Sequence, residues 1–471
     1  MILIAQWGRY ALQLVSIVVL SWLLSPAEYG LVALGTAVTG FAVVLGDFGL
    51  SLAALQAERL SQEQKSALFW VNTLAGGLMA VVVALLAGPA SEFFGDDRLA
   101  TVLWIAAPSF LLRGMSVQLQ VEINRAERFH ALAAVQFFGD LAGILVVVPL
   151  ALAGAGFVSL ALQAPTAALC GVILAAVASR WRPSAPSRRA QVRPLLLFGG
   201  NTLLAHLANY ATTNLDTLLI GKYDSAQAVG HYSRAFQLMN MGLQQVAAPL
   251  TRVIVPRLAR AGSLLEREQI LGSVQRALSY TLLAFVSLLA ATAEPAVLTV
   301  LGPEWQQSAP LMGALAIGAV FQTMAYGYYW GYTSTARSGL LLASEVTGRS
   351  VMVVGILLAA PFGTLAIAFA VSGGQAVLWA LSTFVFFPRT GLHSRTLVAA
   401  SAKPLLIMGT AFVATVTTDH LGVAELDSIV RLLVLITVWL VAVAGGTAAV
   451  GRADAVALRT WFRATRKETR A

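Results

Sequence analysis

Charge is the first thing this chain lacks. Lys and Arg together number 31 and Asp and Glu 22 among 471 residues, so 11% of positions are charged, against about 25% in soluble globular domains. Cysteine is nearly absent as well. The single Cys170 lies in an apolar run, which excludes a disulfide framework. Catalytic signatures of soluble enzymes are missing: there is no Gly-x4-Gly-Lys-Ser/Thr phosphate loop, no Gly-x-Ser-x-Gly elbow and no Cys or His cluster with metal spacing. No polar stretch is long enough to house a separate catalytic domain. What fills the chain instead is apolar: 58% of residues are hydrophobic, and the mean hydropathy is +0.76.

The apolar residues come in runs separated by short breaks. In order these are Ile4–Leu24, Leu31–Leu55, Ser66–Leu86, Leu99–Leu119, Ala131–Leu152, Gly156–Ala178, Leu195–Ile220, Ala226–Val255, Ile270–Ala293, Ala309–Trp330, Leu340–Ala359, Thr364–Phe386, Leu405–Thr417 and Ile429–Ala448. A span needs about 20 apolar residues, and runs of this length are too long for membrane strands, so the spacing predicts an all-α integral membrane protein of about 14 transmembrane helices.

Charge fixes the expected orientation. The breaks alternate between basic ones, such as Arg125 and Arg128 or Arg180 to Arg193, and poor ones whose bases are only Arg98 and Lys222. The positive-inside rule then puts both termini in the cytoplasm. The formal balance of +9 is therefore accounted for by basic loops, and no nucleic-acid partner is expected.

The chain also echoes itself. Ser25-x4-Gly30 and Ser225-x4-Gly230 occupy the same place in the first and seventh hairpins, and Asn124-Arg-Ala-Glu-Arg128 is matched by Ser334-Thr-Ala-Arg337. This predicts two pseudo-symmetric six-helix lobes, residues 1–179 and 195–388, related by an axis along the membrane normal. A basic cytoplasmic linker, 180–194, joins them. Two extra helices, 389–450, and a basic cytoplasmic tail, 451–471, complete the expectation.

Several motifs carry a family likeness. Asn214-Leu-Asp-Thr-Leu-Leu-Ile-Gly221 followed by Gly230-His-Tyr-Ser-Arg-Ala-Phe-Gln-Leu238, with Leu23-Leu-Ser-Pro-Ala-Glu-Tyr-Gly30, Gly46-Asp-Phe-Gly-Leu50 and Val253-Ile-Val-Pro-Arg-Leu-Ala-Arg260, resembles the Wzx-type polysaccharide exporters. These are the lipid-linked oligosaccharide flippases of the multidrug/oligosaccharidyl-lipid/polysaccharide flippase superfamily. The resemblance implies a bacterial cytoplasmic (inner) membrane transporter, not an enzyme. It would carry an undecaprenyl-pyrophosphate-linked oligosaccharide from the inner to the outer leaflet, among membrane lipids and beside a polysaccharide polymerase or ligase.

The ionisable residues inside the runs are the candidate site, because such groups are costly in hydrocarbon and mark function by default. Arg9, Arg113, Arg234, Arg252, Arg276 and Arg349 outnumber the acids Asp47, Asp140, Asp216 and Glu345. Guanidinium forks bind phosphate oxygens two at a time, so an arginine-lined cavity suits a pyrophosphate. The competing reading is internal pairing, of Glu345 with Arg349 at i,i+4 and of Arg113 with Asp140 at similar depth. Arg252 and Arg276 have no evident local acid. Arg234, Gln237, Gln244, Gln245 and Arg252 form a polar stripe on the eighth run, and His206, Asn209, Thr213 and Asp216 form one on the seventh. Asp47 and Asp216 are the candidates for coupling to Na⁺ or H⁺. No other cofactor and no metal is expected. The aromatic cluster Tyr326-Gly-Tyr-Tyr-Trp-Gly-Tyr332 reads as an interfacial belt, with sugar stacking as the alternative. Two rival functions remain open at this level: a cation-coupled drug or metabolite antiporter, which would want an acid-dominated cavity, and an integral-membrane glycosyltransferase or polymerase, which would want a large outer loop.

Overall fold

A computed structural model describes residues 2–47, 60–185, 210, 212–335, 337–451 and 454. Among them no strand occurs, and ten helices are long and apolar enough to cross a membrane. The protein is a multi-pass membrane protein. It divides into two compact units, Met1–Gly230 and His231–Ala471. The expected lobe boundary at 180–194 lies largely outside the described residues. Its first part is not a free tether: Trp181 Nε1 donates to Gln62 Oε1 at 2.7 Å and Ser184 N donates to Ser66 Oγ at 3.0 Å.

The first unit holds α1 (Ile2–Leu23), α2 (Pro26–Asp47), α3 (Gln62–Phe94), α4 (Arg98–Arg125), α5 (Phe129–Leu152), α6 (Phe157–Ser179) and α7 (212–223). Its breaks are written in the sequence. Ser25-Pro-Ala-Glu28 opens α2 as a capping box: the Ser25 N–H and Oγ–H both donate to Glu28 Oε2, at 2.8 and 2.9 Å, and Pro26 takes the first turn, where no N–H is needed. Ser61 and Gln64 do the same for α3. Gly95 ends α3 with φ 72°, a left-handed cap that an L side chain would resist. Small residues then set how closely the helices pack. A Cβ on Gly76 would overlap the Phe110 carbonyl, and one on Gly114 would overlap the Asn72 carbonyl, so α3 and α4 cross backbone to backbone.

The chain enters the second unit one turn into α8 (Ala226–Arg260). There follow α9 (Leu264–Ala291), a short helix Ala293–Val300, α10 (Ser308–Ser334), α11 (Ser338–Ala359), α12 (Thr364–Leu381), α13 (Ser394–Thr418) and α14 (Ser428–Ala449). Helices α9, α10 and α13 surround an apolar core that includes Leu271, Leu278, Leu282, Tyr328, Trp330 and Leu397. A polar knot lies inside it. Gln275 is fully buried; its Nε2 donates to Ser279 Oγ at 3.1 Å, Thr323 O at 3.2 Å and Ser401 Oγ at 3.1 Å, and its Oε1 accepts the Gly327 N–H at 3.1 Å. Away from the core, large apolar side chains face outward, Leu85 at 72% and Val177 at 75% exposure among them. These surfaces are solvated by lipid tails, so their exposure carries no penalty.

Gln275→Leu should lower the thermal stability of the purified protein by about 1–3 kcal/mol, because it removes the amide that links Ser279, Ser401 and the backbone of α10 inside the core. Thermal unfolding in detergent measures this; an unchanged midpoint would mean that the knot is dispensable.

Candidate functional site

The first unit contains a cavity of about 490 Å³ lined by residues of α1 to α6. Its polar groups follow from helical spacing. On α5, Gln136 and Asp140 are four residues apart and present their acceptors on one face. The Arg9 guanidinium from α1 reaches both: Nε donates to Asp140 Oδ2 at 2.9 Å, Nη2 lies 2.8 Å from the same oxygen, and Nη1 donates to Gln136 Oε1 at 2.8 Å. Arg113, Ser116 and Gln120 line the same cavity from α4. Much of the rest is glycine and alanine, including Gly76, Gly114, Gly139 and Gly171. The space exists because these side chains are small. The competing sequence reading paired Asp140 with Arg113; in the structure Arg9 holds Asp140, because α1 packs on α5 and its fork finds two acceptors stacked one turn apart. Among the described residues two guanidiniums line the cavity against one carboxylate, a cationic excess.

A smaller cavity, about 190 Å³, lies in the second unit. Gln244 of α8, Gln322, Tyr326 and Tyr329 of α10, Glu345 and Arg349 of α11, and Gln375 of α12 border it. Glu345 and Arg349 pair at i,i+4 as the spacing suggested, Nε to Oε2 at 2.8 Å. The aromatic cluster does not form an interfacial belt. Tyr328, Trp330 and Tyr332 are 1%, 0% and 1% exposed. Their helix is wrapped by α9, α12 and α13, which is why they turn into the core. Trp330 Nε1 donates to Thr251 Oγ1 at 3.0 Å, and Thr383 Oγ1 donates to Tyr328 Oη at 2.8 Å. Only Tyr326 and Tyr329 reach the cavity.

The other predicted residues sit in different surroundings. Arg234 is buried, donates from Nη1 to Gln237 Oε1 at 2.8 Å and lies 5.6 Å over the Trp305 ring. Arg252, near the far end of the same helix, is exposed. The predicted stripe on α8 is thus not one environment, because the two arginines are separated by most of the helix and meet different neighbours. Gln245 keeps its Oε1 buried with no hydrogen-bond partner among the described residues. Arg276 does have an acid: its Nη1 lies 3.0 Å from Asp454 Oδ1, whose carboxylate also receives the Tyr280 hydroxyl at 3.3 Å and faces Lys403 at 3.8 Å. That corrects the reading of Arg276 as unpaired. Asp216 is buried, and its Oδ1 accepts the Thr217 N–H at 2.7 Å. His206, Asn209 and the side chain of Asp47 lie outside the described residues.

Two clusters went unread in the sequence. Lys65 is bonded to Glu122, which also accepts Gln118 Nε2 at 3.0 Å. Arg431 of α14 donates to Asp419 at 2.7 Å and to Glu294 at 2.8 Å. A lone arginine in the last apolar run was the available signal for the second. Among the described residues no group of three or more His, Cys, Asp or Glu is placed to hold a metal ion.

Comparison with known proteins gives a consistent picture. The family described as "Polysaccharide biosynthesis protein" matches residues 19–310. The succinoglycan biosynthesis transport protein ExoT of Rhizobium meliloti (strain 1021) is 26% identical over 324 residues, 67% of this chain and 64% of that protein. The teichuronic acid biosynthesis protein TuaB of Bacillus subtilis (strain 168) is 23% identical over 340 residues, 67% of this chain and 69% of TuaB. The chain thus spans about two thirds of the length of these relatives. In fold it is similar to the solved inward closed structure of the lipid II flippase MurJ, with a TM-score of 0.71 at 12% identity, covering 95% of this chain and 98% of that one.

The Arg9–Asp140 pair yields a direct test. Arg9→Asp and Asp140→Arg should each lower thermal stability by about 1–3 kcal/mol, since each leaves like charges facing one another in a half-wet cavity. The double exchange should recover at least half of the loss. Simple additivity of the two single effects would show that the pair is not coupled.

Proposed function

Since the chain belongs to the polysaccharide biosynthesis protein family, we propose that it is a flippase of the bacterial cytoplasmic membrane. Its substrate would be an undecaprenyl-pyrophosphate-linked oligosaccharide, taken from the inner leaflet and presented outside for polymerisation or ligation. One observation carries the reading: among the described residues, Arg9 and Arg113 share a cavity between apolar helices with one carboxylate, Asp140. A sugar head group cannot cross hydrocarbon unaided, and a pyrophosphate is costlier still. A cationic cavity among the spans lowers that barrier while the polyprenyl tail stays in lipid. The Arg9 fork now holds Asp140 and Gln136. Phosphate oxygens can take those acceptors' places with the same bidentate geometry, and Arg113 adds a second fork. Alternating exposure of the cavity to the two sides then moves the head group. Export of negative charge from a cell with a negative interior is downhill by about 2.3 kcal/mol per charge per 100 mV. Coupling to Na⁺ or H⁺ through Asp47 or Asp216 would add to that drive. Arg252, exposed on α8, is the proposed first point of capture.

The proposal includes a topology of fourteen spans with both termini in the cytoplasm, in two six-helix lobes with two helices appended. In a background with Cys170 replaced, single cysteines at the exposed positions Asp97 and Glu304 should react with an impermeant maleimide in intact cells. One at Ala185 should react only after permeabilisation; labelling there from outside would reverse the orientation.

A deletion strain tests the function itself. The lipid-linked glycan should accumulate where external glycosidase cannot reach it in spheroplasts. Arg113→Lys should restore export partly, and Arg113→Ala should leave it reduced about tenfold or more, which corresponds to ~1.4 kcal/mol or more of lost binding. Accumulation on the accessible face would instead favour a polymerase.

A further inference from the structure

The second-unit cavity is chemically unlike the first, and the flippase reading does not use it. Its one ion pair, Glu345 with Arg349, is internally neutralised at 2.8 Å. The other polar groups are amides, Gln244, Gln322 and Gln375, and the remaining large feature is a pair of tyrosine rings. A neutral cavity of this kind attracts neither a free anion nor a free cation from a distance. It offers planar donors and acceptors beside flat apolar faces.

Core packing accounts in part for Tyr326 but not for Tyr329. Gln322, Tyr326 and Tyr329 fall at i, i+4 and i+7, which puts all three on one face of α10. Tyr328 and Tyr332 turn away from this face into the core, and Trp330, one turn on from Tyr326, packs behind it. Tyr329 remains 41% exposed on a helix whose other aromatic residues in this stretch are mostly buried, and Tyr326 is backed by Trp330, ring centroids 6.2 Å apart. Opposite this face stand the Glu345–Arg349 pair and Gln375.

We propose that this cavity is a carbohydrate subsite that recognises one uncharged pyranose of the head group. A pyranose ring has a face of C–H bonds, slightly positive, that matches the negative face of an aromatic ring. Its rim carries hydroxyls that both donate and accept, which is what glutamine amides and a carboxylate–guanidinium pair can answer together. The volume of about 190 Å³ suits a single ring, with the rest of a longer glycan left outside. The subsite rests on the flippase reading for the source of its sugar, but its chemistry is separate from phosphate binding.

Two measurements on the full-length protein in nanodiscs test it. Saturation-transfer difference NMR is run with methyl glycosides of glucose, galactose, mannose, rhamnose, N-acetylglucosamine and N-acetylgalactosamine. Binding of undecaprenyl pyrophosphate, which has no sugar, is measured in parallel. At least one glycoside should give a signal. Tyr329→Ala and Gln375→Ala should each cut it about fivefold or more, Tyr329→Phe should keep most of it, and none of the three should change undecaprenyl pyrophosphate binding. Arg113→Ala should do the reverse. Absence of signal from the whole panel, or a signal indifferent to Tyr329→Ala in a variant that keeps its wild-type unfolding temperature, would overturn the subsite. Glycoside binding that survives while undecaprenyl pyrophosphate fails to bind would sink the flippase reading and leave the subsite standing.

Discussion

A charge among apolar helices is costly without a partner, and ion pairs tie together residues far apart in this chain. Arg9 is held by Asp140 and Gln136, Lys65 by Glu122, Arg276 by Asp454, Arg349 by Glu345, and Arg431 by Asp419 and Glu294. Breaking such a pair leaves one ion without its counter-charge, which costs far more than the intact pair contributes. Each bond therefore acts as an address and says which helix must lie beside which. The clearest case is α14. Its apolar face packs Trp439 against Leu283, Ile407 and Met408, a contact that any greasy helix could imitate. Arg431 cannot be moved by one turn without losing two carboxylates, so the ion cluster sets the register of α14.

The same rule explains what the sequence concealed. Apolar runs and their breaks are local features, and among the described residues the helices fall where the runs lie. The Glu345–Arg349 pair is local too, at four residues' separation, and was legible. The other pairs join residues far apart in the chain: 131 positions separate Arg9 from Asp140, and 137 separate Glu294 from Arg431. No single-sequence periodicity reports such a contact. Asp454 was the best hidden, being an acid among the bases of a tail read as uniformly basic. The aromatic cluster misled for a related reason. Successive tyrosines and tryptophans look like a belt in one dimension, but the helix distributes them around its circumference: Tyr328, Trp330 and Tyr332 are buried in the core, and Tyr326 and Tyr329 reach a cavity.

One long-range relation was visible, because repetition made it so. Ser25-x4-Gly30 and Ser225-x4-Gly230 were read as equivalent positions, and the structure brings them into contact. A Cβ on Gly30 would overlap the Ala226 carbonyl, and one on Gly230 would overlap the Pro26 carbonyl. The contact is reciprocal: each glycine faces a backbone carbonyl of the other motif. A side chain on either glycine would push the crossing apart from both sides, so both must be small. The caps have diverged while the crossing has not. Glu28 closes its box onto Ser25, whereas Ala228 offers no carboxylate and Ser225 caps alone.

The two cavities divide the chemistry that a lipid-linked glycan would demand of its carrier. A cationic excess such as that of Arg9 and Arg113 acts at a distance and raises the local concentration of any phosphate, but it cannot tell one glycan from another. A neutral cavity of amides and rings exerts no pull from afar. Its discrimination comes only when a hydroxyl finds, or fails to find, its partner, and an unpaired buried donor costs about 1–3 kcal/mol. Capture and selection thus call for opposite electrostatics and would interfere in one site, where a strong cation would hold wrong and right head groups alike. On the proposed function, related flippases for different glycans could keep the first cavity and vary the residues around Tyr326, Tyr329 and Gln375.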